Sequence, residues 1–90
     1  MRTKKWNLEI VITESDRTTV AEARLRGQNA ELIVGEGTAH RNRADPDMPH
    51  IGDDLAVARA LSGVSHELLH EAASEIETRT GERVGRLRAS

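Results

Sequence analysis

The chain has 90 residues, 37% of them hydrophobic and 31% charged, with a net charge of −2, a single tryptophan as its only aromatic residue, and no cysteine. That is the size of one domain with a thin, aliphatic, alanine-rich core. It excludes disulfides and cysteine-type zinc sites, and it argues against a domain-wide polyanion-binding surface, although a local patch stays open.

The basic start, Met1 to Trp6, runs into Asn7-Leu8-Glu9 rather than a continuous apolar stretch. Neither a signal peptide nor a membrane span is expected, and the cytoplasm is the default compartment. From residue 5 to 14 the chain alternates, with Trp6, Leu8, Ile10 and Ile12 on one face and Asn7, Glu9, Val11 and Thr13 on the other. A period of two with β-branched residues predicts a half-buried strand. Ser15-Asp16 is turn chemistry. A second strand follows over 17–26, with Thr19, Ala21, Ala23 and Leu25 opposite Val20, Glu22, Arg24 and Arg26. Gly27-Gln28-Asn29 turns the chain again into a third strand at 31–40. Two short connections imply two hairpins, hence an antiparallel three-stranded meander.

The third strand offers Leu32, Val34, Glu36 and Thr38 on one row and Ile33, Gly35, Gly37 and Ala39 on the other. The second row is expected to face the helix, because glycines admit a close helix backbone. Leu32 and Val34 then stand with Val11 and Val20 on the open sheet face. Residues 41–52 hold both prolines and several Asp and Asn residues, and they read as a long polar loop.

A helix is predicted over about 53–79. Leu55, Val57, Ala58, Leu61, Val64, Leu68, Leu69, Ala72, Ala73 and Ile76 fall in one arc roughly 160° wide, suited to lying on a sheet. Asp53 or Asp54 would cap its start and Gly81 would stop it. Gly63 lands on the polar face of that arc, with no packing reason. The basic tail, 82–90, is expected to fray.

His66-Glu67-Leu68-Leu69-His70 matches H-E-x-x-H, in which two histidines four apart share a zinc ion and the glutamate acts as general base for hydrolysis. The spacing is right but the surroundings are not. Both histidines project roughly 110–150° from the centre of the apolar arc, towards solvent. Ala73 and Ile76 occupy the positions where an extended motif would place Gly and a third His. His40 and His50 remain as distant candidates. We read no catalytic residue, no cofactor and no metal site here, and a zinc hydrolase through His66, Glu67 and His70 ranks last.

A meander followed by a helix is the layout of the double-stranded-RNA-binding domain without its first helix. In that domain lysines at the start of the last helix grip phosphates. Here Asp45, Asp47, Asp53 and Asp54 stand in that region, and only Arg24, Arg26, Arg41 and Arg43 could contact a nucleic acid. Nucleic-acid binding is therefore the second reading rather than the first.

The opening strand with Trp6, the segment Gly35-x-Gly37-Thr38-Ala39, then Ala44-Asp45-Pro46-Asp47 and Pro49-x-Ile51-Gly52-Asp53-x-Leu55-Ala56-x-Ala58-Arg59-Ala60-Leu61 resemble a family of small actinobacterial proteins of unknown function. The likeness runs from about Trp6 to Val84. Eleven arginines against two lysines fit a GC-rich source of that kind. What the resemblance implies is a fold, described for that family as like the double-stranded-RNA-binding domain; it carries no activity to transfer. The histidines of the HELLH string are not part of that family's signature.

The expectation is thus an α+β domain of order β-β-β-α, a three-stranded antiparallel meander with one long C-terminal helix on one face. Its leading function is a non-enzymatic cytoplasmic interaction module that forms a homodimer and binds no membrane, with an unidentified protein partner also open. The uncovered sheet face and the acidic loop are its expected contact surfaces.

Overall fold

The computed structural model describes residues 1–27, 31–41 and 48–81, and of Pro49 the backbone alone. The order is β1 (Leu8–Glu14), β2 (Thr18–Arg26), β3 (Leu32–His40) and α1 (Pro49–Thr80). The three strands form one antiparallel sheet in the order β1-β2-β3, and α1 lies across one face of it. This is the expected α+β meander-and-helix architecture.

Local chemistry explains the turns and ends. The Ser15 amide donates to the Thr18 carbonyl at 2.9 Å and its hydroxyl to the same oxygen at 3.2 Å, closing the first hairpin. At the second, the Gly27 amide reaches the Glu31 carbonyl at 3.0 Å. The first strand starts at Leu8, three residues later than the alternation suggests, because pairing with β2 starts at Leu8 opposite Leu25.

The helix differs more from expectation. It begins at Pro49, one turn before Asp53, after an N-cap at Met48 that makes no side-chain hydrogen bond. Proline suits this place because the first helical N–H would be orphaned anyway and its φ is already helical. The first turn holds no acidic residue, so neither Asp53 nor Asp54 is the cap. The C-terminus is as expected: Gly81 adopts φ 72° and its amide donates to the Glu77 carbonyl at 2.8 Å, an end that glycine tolerates without a Cβ penalty. Gln28, Asn29, Arg43, Asp45, Asp47 and the tail 82–90 lie outside the described residues.

The register makes Leu8, Leu25 and Ile33 neighbours on the helix-facing side, then Ile10, Ala23 and Gly35, then Ile12, Ala21 and Gly37. The β3 row that faces the helix is therefore Ile33, Gly35, Gly37 and Ala39, as expected. The buried cluster is built from small residues: five alanines (Ala21, Ala23, Ala39, Ala56, Ala60) with Leu25, Ile33 and Val64.

Only part of the broad arc faces the sheet: Val64 is buried and Val57 and Leu68 pack beside it, but the closest contact is made by Ala56, Ala60 and Gly63, while Leu55, Leu61 and Ile76 stay exposed. A Cβ on Gly35 would overlap the Ala60 carbonyl and come within 2.7 Å of the Val64 nitrogen; one on Gly37 would come within 2.5 Å of the Ala60 nitrogen. One on Gly63 would stand 3.2 Å from the Gly35 Cα. Gly63, assigned above to the polar face, is thus part of the contact. Sheet glycines let the helix sink until only small side chains fit beneath it, and large ones are turned aside. Arg59 adds a clamp, donating from Nη1 to the Thr38 carbonyl of edge strand β3 at 2.6 Å.

Candidate functional site

The HELLH string lies on α1 at the point where the helix leaves the sheet. Leu68 packs against the buried cluster, whereas His66, Glu67 and His70 are exposed. His50 is in the first turn, sixteen residues before His66, which is roughly 24 Å along the helix. His40 stands at the end of β3, where its Nδ1 is 3.3 Å from the hydroxyl of its cross-strand neighbour Thr18. The histidines are therefore not brought together. Among the described residues no three His, Asp or Glu side chains form a group able to hold a metal ion. The Thr18–His40 pair lacks, among those residues, a third group that would hold the ring as a nucleophile's base needs.

The arginines divide between two ends of the sheet. Arg24 and Arg26 lie on the open face, away from the helix, and Arg24 is paired with Glu22 and, at 3.6 Å, with Glu9. The Arg41 amide bonds to the Arg17 carbonyl at the far end, roughly 30 Å from Arg26 along β2. Arg43 lies outside the described residues. The open face does carry Val11, Leu32 and Val34, each more than 40% exposed. However, the register sets Arg24 beside Val34 and Glu22 beside Val11, so charges separate the apolar side chains.

Near Arg41 a cleft of about 360 Å³ opens between the first hairpin and the start of α1, lined by Glu14, Thr19, His40, Arg41, Ile51 and Leu55 among others. Beside it, Asp53 Oδ1 is buried without a hydrogen-bond partner among the described residues. The Glu14 carboxyl is held above its ordinary value of 4.5, first by a side-chain hydrogen bond to Asp53, then by the charge on Asp53 and by burial. Two carboxylates this close repel when both are ionised, which favours the protonated form of Glu14.

A row of exposed apolar side chains lies elsewhere, on the helix side of the sheet. Helix α1 covers β3 and β2 and barely reaches β1. The inner row of β1 is left open: Leu8 is 44%, Ile10 37% and Ile12 41% exposed, and Trp6, 46% exposed, continues the alternation beyond the strand. Half-buried Val57 and Leu68 pack on the core, and Leu61 is exposed. Sequence alternation had marked these β1 residues as inward-facing; that the helix would leave them uncovered had no signal in the sequence. Among the described residues no helix is long and apolar enough to cross a membrane.

Comparison with known proteins places this architecture. Residues 4–85 match the model of the Rv2632c-like family. An uncharacterized protein of Mycobacterium bovis, Mb1767, is 45% identical over 75 residues, covering 83% of this chain and 79% of the relative. The uncharacterized protein Rv2632c of Mycobacterium tuberculosis is 39% identical over 77 residues, covering 86% and 82%. The crystal structure of Rv2632c superposes with a TM-score of 0.83 at 36% identity, over 91% of this chain and 96% of that one. The resemblance to a family of small actinobacterial proteins of unknown function is thus confirmed through mycobacterial relatives, and with a match spanning nearly its full length the chain belongs to the Rv2632c-like family.

Proposed function

We propose that this protein is a cytoplasmic, non-catalytic interaction module that self-associates, with the uncovered half of the helix-side sheet face as its working surface. The observation that carries this reading is the open inner row of β1. A monomer has no use for a strand whose inward side chains, Leu8, Ile10 and Ile12, are each more than a third exposed while five alanines fill its core. Exposed apolar side chains grouped on one face mark sites of protein contact, and a small domain gains much from any added burial. Strand β1 is also a sheet edge, which natural proteins cover or pair.

Sedimentation equilibrium or light scattering over a wide concentration range tests the reading. A dimer is expected, and Ile10→Glu is expected to make it monomeric while leaving its circular dichroism unchanged. A wild-type chain that stays monomeric up to several hundred micromolar overturns the proposal.

A further inference from the structure

Resting on that reading, we infer that the occupant of the open β1 groove is the outer half of α1 from a second copy, with the two helices antiparallel about a two-fold axis near His66 and Leu68. Helix α1 is longer than the sheet it covers. Leu68 is the last of its apolar side chains packed against the buried cluster, yet the helix continues to Thr80. Residues 69–80 span roughly 18 Å at 1.5 Å per residue. The open row from Leu8 to Ile12 spans roughly 13 Å at 3.3 Å per residue. The projecting piece is long enough to fill the groove.

It also carries the right surface. Leu61, Leu69, Ala72 and Ile76 lie within roughly 80° of arc on α1, and Leu61 and Ile76 are 37% and 41% exposed. This stripe has no partner in the buried cluster of its own chain. One chain thus carries an unfilled groove and an uncovered amphipathic helix of matching length. Two such chains can satisfy each other, since a two-fold axis uses every contact twice.

The direction is set by the sheet. Gly52, in the first turns of α1, approaches Thr19, whereas Gly63 approaches Gly35, so the helix start is level with the Glu14 end of β1 and Gly63 is level with Ile10, the helix running towards the Leu8 end. The outer half therefore leaves the sheet past Leu8. A second helix antiparallel to the first, crossing it near residue 67, lies beside Val57 and Leu61 and over Ile10 and Ile12.

The absence of cysteine makes the test direct. Ile12→Cys and Ile76→Cys are introduced into separate full-length chains, which are mixed and oxidised, and the disulfide-linked species are resolved by mass. The mixed Ile12→Cys/Ile76→Cys dimer is expected to form at least several-fold faster than either symmetric dimer, and to be lost when Leu69→Glu is added to the Ile76→Cys chain. Both cysteine sites are exposed, so the fold of each chain is expected to survive, as checked by circular dichroism. A wild-type dimer that yields chiefly the symmetric Ile12→Cys product shows β1 pairing with β1; it overturns this geometry and leaves self-association standing. A chain monomeric throughout overturns both.

Discussion

The helix side of the sheet has two halves that follow opposite packing rules. Over β2 and β3 the contact is made of Ala21, Ala23, Gly35 and Gly37 against Ala56, Ala60 and Gly63, and helix and sheet approach until a single added carbon would collide with backbone. One strand away, Leu8, Ile10 and Ile12 are large, apolar and uncovered. Glycine and alanine, with Leu25, Ile33 and Val64, hold this chain's own helix, and the large residues of β1 stay open. The difference teaches that close approach and large apolar area are separate resources in a chain this short. The first fixes where the helix sits; the second is left for something else to cover.

The sharpest way to break the covered half is to put a side chain where the backbones meet. Gly35→Val is expected to lose about 3 kcal/mol or more, because its Cβ falls on the Ala60 carbonyl, which cannot move without the whole helix moving. In a domain of such small margin, a urea titration is expected to find it largely unfolded before denaturant is added.

A paired truncation compares the halves directly. Leu25 is 8% exposed and Ile10, on the neighbouring strand two pairs further along, is 37% exposed. Leu25→Ala is expected to cost about 2–4 kcal/mol at any protein concentration. Ile10→Ala is expected to cost only about 1 kcal/mol in dilute solution. Its cost grows with protein concentration, because the wild-type midpoint rises as copies associate and the variant's does not. Equal losses at every concentration would remove the distinction between the halves.

Gly63→Ala is a finer probe. On a solvent-facing helix position it would stabilise by about 1 kcal/mol. Against the Gly35 Cα at 3.2 Å the new methyl meets backbone, so the gain is expected to vanish or reverse, read as an unchanged or lower melting temperature.

The smallest effect concerns Glu14, at the end of β1 just beyond Ile12. Its raised folded-state pKa means that the folded chain holds this proton more tightly than the unfolded one. The stabilisation is complete below the ordinary value of 4.5 and is lost as pH rises through the raised value. Glu14→Gln is expected to flatten that part of the stability profile and to melt no earlier than wild type at neutral pH. A steeper decline in the variant would show that Asp53 does not interact with Glu14 as described.

Much of the architecture was legible because period-two alternation is a local property. Leu8, Ile10 and Ile12, and Ala21, Ala23 and Leu25, announce their common face residue by residue, and Gly35 and Gly37 announce a close approach. The helix face was misread for a related reason. Summed hydrophobicity points the arc at Leu55, Leu61 and Ile76, but a floor of glycine and alanine admits only small residues, so the helix turns Ala56, Ala60 and Gly63 downward. The start of the helix was misplaced because Asp53 and Asp54 resemble caps, while Pro49 starts a helix without one. His66 and His70 are exposed, as the arc implies, but for a different reason: only Val57, Val64 and Leu68 of that arc reach the core, and the histidines lie where the helix leaves the sheet.

Alternation, turn residues and the stop at Gly81 are enough to specify three strands, one helix, their order and the inward rows of each strand. Only the tertiary structure decided that the helix lies over β2 and β3 and leaves β1 open. That choice depends on which pair of surfaces can approach most closely, a property of two distant segments together that neither one encodes alone.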